Sequence, residues 1–316
     1  MRKHTKKTGG QRIVIGFTLS LLLVTASGCG EGLKELADLP ERIADGEFSI
    51  DTEELGDMLW NDEWTTYDVS SMTVFDEEYP TIKDEDFYED TLSAEGITKL
   101  DMELGGCEVK VETSPDAQFH VTVENVSAFQ AFTEEKTLYV KGVQTGTWTG
   151  GLSTNMKITL QLPEGIVYEQ AQMSFGAGEF QIQTVSADNV AVEVGAGKLQ
   201  IADLKAEELE VQLGAGQAVL EEADVVNADL EAGAGELIFA GSILGDLHAE
   251  CAMGNMEIRI SGSTQEDHNY EMDCVAGNLT VGSETYSGIA EQKVNNNALT
   301  VYDLECAMGN LTLIFE

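Results

Sequence analysis

The chain has 316 residues, enough for one large or two modest domains, and carries 17 Lys+Arg against 57 Asp+Glu, a formal net charge of -40. Such a surface repels phosphate backbones and anionic headgroups, whose affinity for proteins comes from Lys and Arg, so nucleic acid is excluded as a partner. With 42% hydrophobic residues and 32 glycines, the composition indicates an ordered, turn-rich fold instead of a disordered acidic chain.

Residues 1–28 read as an export signal. Arg2, Lys3, Lys6, Lys7 and Arg12 precede an apolar run from Ile13 to Val24. As a helix that run spans only ~18 Å, against a hydrocarbon core of ~30 Å, which suits a cleaved signal and not a permanent span. The run ends in Ala26-Ser27-Gly28-Cys29, which resembles the bacterial lipobox. That resemblance implies that Cys29 takes a diacylglycerol, becomes the mature N-terminus and ties the protein to the outer face of the cell membrane of a Gram-positive-type bacterium. The alternative is a plain secreted protein cleaved nearby. Two or more acyl chains, at ~0.8 kcal/mol per buried methylene, hold even a protein that the membrane surface repels.

Residues 29–95 form an acidic lead-in, with 21 Asp/Glu in residues 31–90 against Lys34, Arg42 and Lys83. Leu33, Leu36, Leu39 and Ile43 have weak helical spacing, interrupted by Pro40. Trp60, Trp64, Tyr67, Phe75, Tyr79, Phe87 and Tyr88 are numerous for a pure linker. The segment is expected to act as a tether and as a cap over the first strands of the repeat region. A binding element for a partner protein is the sharper alternative.

Residues 96–316 carry a repeat. Gly-Ala-Gly occurs at 176–178, 195–197, 214–216 and 233–235, so the closing glycines Gly178, Gly197, Gly216 and Gly235 stand 19 residues apart. Gly254 continues the period; Gly277 and Gly309 come 23 and 32 residues later, which implies inserted loops. A degenerate earlier copy lies at Leu104-Gly105-Gly106-Cys107. Three residues before each closing glycine stand Phe175, Val194, Leu213, Ala232, Cys251, Cys274 and Cys306. Two after it stand Phe180, Leu199, Ala218, Leu237, Met256, Leu279 and Leu311. Polar residues fill the positions between, the alternation of half-buried strands, with the phase broken three times per repeat. The predicted fold is therefore all-β: a single-stranded parallel β-helix (β-solenoid) of ~19 residues per turn with three sides, preceded by a short helical or irregular acidic segment. The glycines are expected at tight corners that need positive φ. Asn255, Asn278 and Asn310, each after a glycine, tolerate such corners, and stacking would let their amides form a ladder.

The sequence Leu104-Gly105-Gly106-Cys107-Glu108-Val109, the repeated Gly-Ala-Gly, and the pair Glu250-Cys251-Ala252-Met253-Gly254-Asn255 and Glu305-Cys306-Ala307-Met308-Gly309-Asn310 together resemble the bacterial "putative adhesin" β-strand-repeat family, a domain of unknown function, over residues 95–316. The resemblance implies a surface domain on lipoproteins or membrane-tethered proteins, with some relatives tied to cell-envelope stress. It brings no catalytic residues.

The search for chemistry leaves few candidates. Cys251, Cys274 and Cys306 share one inward column at ~4.8 Å spacing with parallel side chains, slightly beyond disulfide geometry. They read as buried apolar thiols, and a straight row does not enclose zinc. Gly-Ala-Gly lacks the third glycine and the helix of a nucleotide loop. His120, His248 and His268 have no nucleophile motif beside them. Glu231, Glu250, Asp273 and Glu305 form an outward column on successive repeats, whose mutual repulsion calcium would relieve. The calcium-roll spacing is absent, which favours a solvated, screened face with no cofactor. The expected function is non-catalytic binding at the cell surface, to an envelope protein, a wall polymer or a host polymer. The alternatives are an envelope-stress sensing module and a polysaccharide-active enzyme with a carboxylate cleft. The final residues, Leu313-Ile314-Phe315-Glu316, are expected to leave an uncapped edge for self-association.

Overall fold

The computed structural model describes residues 75–144 and 156–316. The expected signal segment, Cys29 and the aromatic residues up to Tyr67 lie outside the described residues. Those described form one 19-stranded sheet and a single 3-10 turn at Gln265–Asp267.

The first group of strands is β1 (Ile82–Ser93), β2 (Lys99–Gly105), β3 (Cys107–Thr113), β4 (Gln118–Glu134), β5 (Thr137–Val143) and β6 (Lys157–Leu162). β4 runs antiparallel to β1, β5 and β6. It turns into β5 through Glu135 and Lys136, both with positive φ (44° and 68°), the backbone of a two-residue type I′ hairpin. Gln130 on β4 is buried, and its amide accepts from Asp76 N at 3.0 Å and donates to Asp76 O and Tyr79 O at 2.9 Å each. Tyr79 stacks on Phe132, and Phe132 on Tyr139. These contacts tie the described end of the acidic lead-in to the sheet.

The repeat region supplies β7 (Tyr168–Phe175), β8 (Gly178–Val194), β9 (Lys198–Leu213), β10 (Gln217–Ala232), β11 (Glu236–Ile243), β12 (Leu247–Cys251) and β13 (Asn255–Ile260). β8, β9 and β10 pair in parallel with a register offset of one repeat: Phe180 faces Leu199, Val194 faces Leu213, and Leu213 faces Ala232. The degenerate copy joins the same columns, with Leu104 beside Phe175 and Cys107 beside Gly178. Inward residues such as Phe180, Ile182, Val185, Ala187, Val190, Val192 and Val194 are buried, while outward pairs interrupt them at 183–184 and 188–189. Each large side chain so buried contributes ~1.5–3 kcal/mol.

The remaining strands are β14 (His268–Cys274), β15 (Asn278–Val281), β16 (Glu284–Ser287), β17 (Ala290–Val294), β18 (Thr300–Cys306) and β19 (Asn310–Phe315). β18 lies between β12 and β14, and β19 between β13 and β15. The spatial order of the cysteine column is therefore Cys251, Cys306, Cys274. β16 and β17 turn back antiparallel against β15 and β14.

Two expectations are corrected. A single-stranded parallel β-helix of three short sides does not form: the sheet is mixed, with antiparallel strands at both ends, and closes as a seven-stranded mixed barrel with extra strands. The strands also run on for 16 residues through the expected corners, where the pairing skips only the single pairs 202/221 and 207/226. The physical reason is the hairpin chemistry at 135–136 and 282–283, which reverses the chain. Nor is most of the final strand an open edge. Asn310–Leu313 of β19 are paired on both sides, because the chain forms β14 to β17 first and then returns to fill the place beside β12 and β13, and only Ile314 and Phe315 pair with β13 alone.

The closing glycines also have a different reason from the one expected. Among them only Gly178 has a left-handed φ (149°). At Gly216 and Gly254 a Cβ would fall on the carbonyl oxygen of the stacked glycine, Gly197 or Gly235. At Gly277 and Gly309 it would lie 2.7 Å from Cys306 Sγ and Cys251 Sγ. Gly197 and Gly235 are likewise hemmed in, 2.8 Å from the Phe180 ring and 2.7 Å from the Gly216 oxygen. These positions need glycine for clearance between neighbouring strands.

Candidate functional site

Outward residues two apart on a strand make parallel columns across a sheet. Register pairing gives one such column the order Gln212, Glu231, Glu250, Glu305, Asp273, Glu291. All four acids named as candidates from the sequence are thus brought onto adjacent strands, but Glu305 sits between Glu250 and Asp273. It is also not solvated: Glu305 is 3% exposed. The neighbouring column runs Glu210, Asp229, His248, Asp303, Glu271, Lys293.

Side-chain charge along these columns is poorly compensated. His248 Nδ1 lies 3.7 Å from Asp303 Oδ2. Chiefly through Asp303, and with Asp229 and Glu305 near, the imidazole pKa is pushed up to about 9 against the opposing effect of burial. Burial, then Glu231 and Glu305, raises Glu250 to about 7. Glu231 is raised by burial and by Asp229, Asp229 by burial, and Asp273 by burial and then Glu291. Carboxylates on adjacent strands stand ~5 Å apart, and like charges at that spacing favour retention of protons.

The second column borders a shallow groove of about 920 Å³ that crosses β2, β7, β8, β9, β10, β12 and β18. Its acids include Glu208, Glu210, Asp229, Asp246 and Asp303, with His248 near one end and Lys99 near the other. Asn227 donates to Glu208 (2.8 Å) and accepts from Asp246 N (2.9 Å), and Asp246 accepts from Val301 N (2.8 Å), so the floor is held by a hydrogen-bonded row. Six strand-to-strand steps make the groove roughly 29 Å long. Among the described residues, no Phe, Tyr or Trp lines it, so it lacks the stacking platform of a sugar cleft. Nor do any three His, Cys, Asp or Glu side chains among the described residues converge as a metal-holding group. The acids stand in a row and do not enclose a point.

The other sequence candidates are separate. Cys107, Cys251, Cys274 and Cys306 are free, buried thiols; Cys251 and Cys306 donate to the carbonyls of Gly254 and Gly309, each at 3.2 Å. His120 meets Asp116 and Thr91, and His268 is buried on the Tyr302 ring. The asparagines do form a ladder: Asn310 donates to Asn255 and Asn278 to Asn310, each at 2.8 Å, and Ser287 donates to Asn278. The part of the site that sequence reasoning missed is the His248 column. Its signal was available, since Asp229, His248, Glu271 and Asp303 each stand two residues before an acid already singled out.

The profile of Toastrack DUF4097 matches residues 97–313. The chain belongs to the Toastrack family. This Toastrack chain is similar to three solved structures. A putative adhesin from Bacteroides fragilis is 16% identical, with 74% of this chain and 100% of that one covered and a TM-score of 0.42. A putative lipid binding protein from Parabacteroides distasonis is 14% identical, with 73% and 98% covered and a TM-score of 0.41. A putative cell adhesion protein from Clostridium sporogenes is 11% identical, with 73% and 99% covered and a TM-score of 0.30. No curated protein matches the chain.

Proposed function

We propose that this Toastrack domain is a non-catalytic binding module that receives an extended, positively charged segment of an envelope protein or surface polymer along its acidic groove. The observation that carries the reading is the row of carboxyls that lines the groove on successive strands, Glu208 and Glu210 on β9, Asp229 on β10, Asp246 before β12 and Asp303 on β18. A polycation laid along that row would gain attraction from each carboxylate, where a single bound ion would reach only the nearest. The seven strands crossed give the groove a length suited to about nine or ten extended residues at ~3.3 Å each. Lipid attachment at Cys29, with residues 29–95 as tether and cap, would place the groove outside the cell, where such partners are found.

The test is calorimetric titration of the full chain carrying Cys29→Ala with decalysine and, as a control, with decaglutamate. Decalysine should bind at ~50 mM salt and weaken at least ~tenfold by ~500 mM, since exposed charge pairs are screened at that strength. Decaglutamate should not bind. Equal binding of both, or of neither, would remove the proposal.

A further inference from the structure

We propose that the domain self-associates end to end, two copies pairing antiparallel through β17 about a two-fold axis at Gln292. Three independent features meet at this strand. First, β17 pairs with β14 on one side only; among the described residues no strand occupies its other edge. An unpaired strand edge is a template for another strand unless it is blocked. The opposite end of the sheet is blocked: edge strand β1 carries Lys83, Asp84, Glu85, Asp86, Glu89 and Asp90. β17, with the sequence Ala290-Glu291-Gln292-Lys293-Val294, has no such run.

Second, β17 is self-complementary. An antiparallel pair centred on Gln292 sets Glu291 opposite the second copy's Lys293, and Lys293 opposite its Glu291. Ala290 then faces Val294, and Gln292 faces itself. A cross-strand pair of opposite charge is favourable where a like pair is not. Any other register of the same strand on itself loses this match.

Third, one charge column ends there on a like-charge pair and the adjacent one on a lysine. Glu291 stands directly opposite Asp273, a like-charge pair that adds to burial in raising the Asp273 pKa. Lys293 ends the adjacent column, 3.0 Å from Glu271. The two-fold would cross the columns, so that the lysine ending one column in one copy neutralises the glutamate ending the other column in the second. Residues 291–293 are exposed, as is Ile289, at 94%, beside them. The occupant that fits is therefore a second copy of this chain.

The experiment is cross-linking of the full chain in cell envelopes with a short bis-maleimide. Gln292→Cys, which meets its own copy on the axis, should give a dimer band at least fivefold above the unsubstituted chain. Asp90→Cys on β1 should not. In the Gln292→Cys background, Glu291→Lys and Lys293→Glu should each reduce the dimer at least fivefold, and the double swap should restore it to within twofold. Glu291→Lys also removes the clash with Asp273, so its dimer should be lost while its melting temperature holds or rises, which separates lost pairing from misfolding. A dimer from Asp90→Cys equal to that from Gln292→Cys, single swaps without effect, or a double swap that fails to restore would each overturn the proposal.

Discussion

Replacing Glu250 by Gln keeps the shape of the side chain and removes the charge that its neighbours oppose. The ordinary pKa of 4.5 rises to about 7 in the fold. That displacement corresponds to roughly 3 kcal/mol against the ionised form, which solvent at this half-buried carboxyl reduces to ~1–2 kcal/mol. Because the folded value is the higher one, the unfolded chain loses its proton first. Stability therefore falls as pH rises from 4.5 to about 7 and is level above that window. Glu250→Gln should be neutral at about pH 4 and stabilising at about pH 8, by roughly 3–6 °C in melting temperature for a domain of this size. Circular-dichroism melts of both chains at the two pH values provide the assay. A variant that melts at or below the unsubstituted chain at the higher pH would show that burial and the neighbouring carboxylates do not disfavour the Glu250 charge.

The same structure makes four further predictions. His248, raised from 6.5 to about 9, stabilises fully below pH 6.5 and loses that contribution as pH rises through 9; His248→Gln should therefore lower the melting temperature at about pH 6 and have little effect at about pH 10. Gly216→Ala drives a methyl onto the Gly197 carbonyl, whereas a Cβ at Gly195 meets nothing closer than 3.5 Å. The first should cost roughly 1–3 kcal/mol in denaturant unfolding and the second should be tolerated. Gln130→Leu strips hydrogen-bond partners from Asp76 and Tyr79, and hydrogen exchange should show residues 76–81 released while β9 and β10 stay protected. The four described thiols are buried and Cys107 is pushed up to about 12 by burial, so a thiol reagent should label them only after unfolding.

Much of this was legible in the sequence because inward and outward positions repeat with the strand period. The column through Phe175, Val194 and Leu213 arises from that period together with the 19-residue spacing, and the buried thiols and the asparagine ladder from the same motif repeated at 23 and 32 residues. What the period does not contain is direction. The hairpin at Glu135-Lys136 takes positive φ at two residues without the Asn or Gly that advertises such a turn, so the antiparallel strands around β4 were hidden. Spatial order was hidden too. Glu305, Cys306 and Asn310 match Cys251 and Cys274 in their repeats equally well, and only the return of the chain through β16 and β17 places β18 between β12 and β14. That insertion buries Glu305 and sets Asp303 beside His248, which is why the charged groove could not be read from spacing alone.

The most direct test of the charged columns is the titration of Glu250, two residues along β12 from the groove-lining His248, monitored by carbon NMR of its side-chain carboxyl with and without decalysine. Burial, reinforced by Glu231 and Glu305, predicts a midpoint near 7 for the free chain and a shift to lower pH once a cation is bound alongside. A free midpoint near 4.5, unmoved by decalysine, would contradict it.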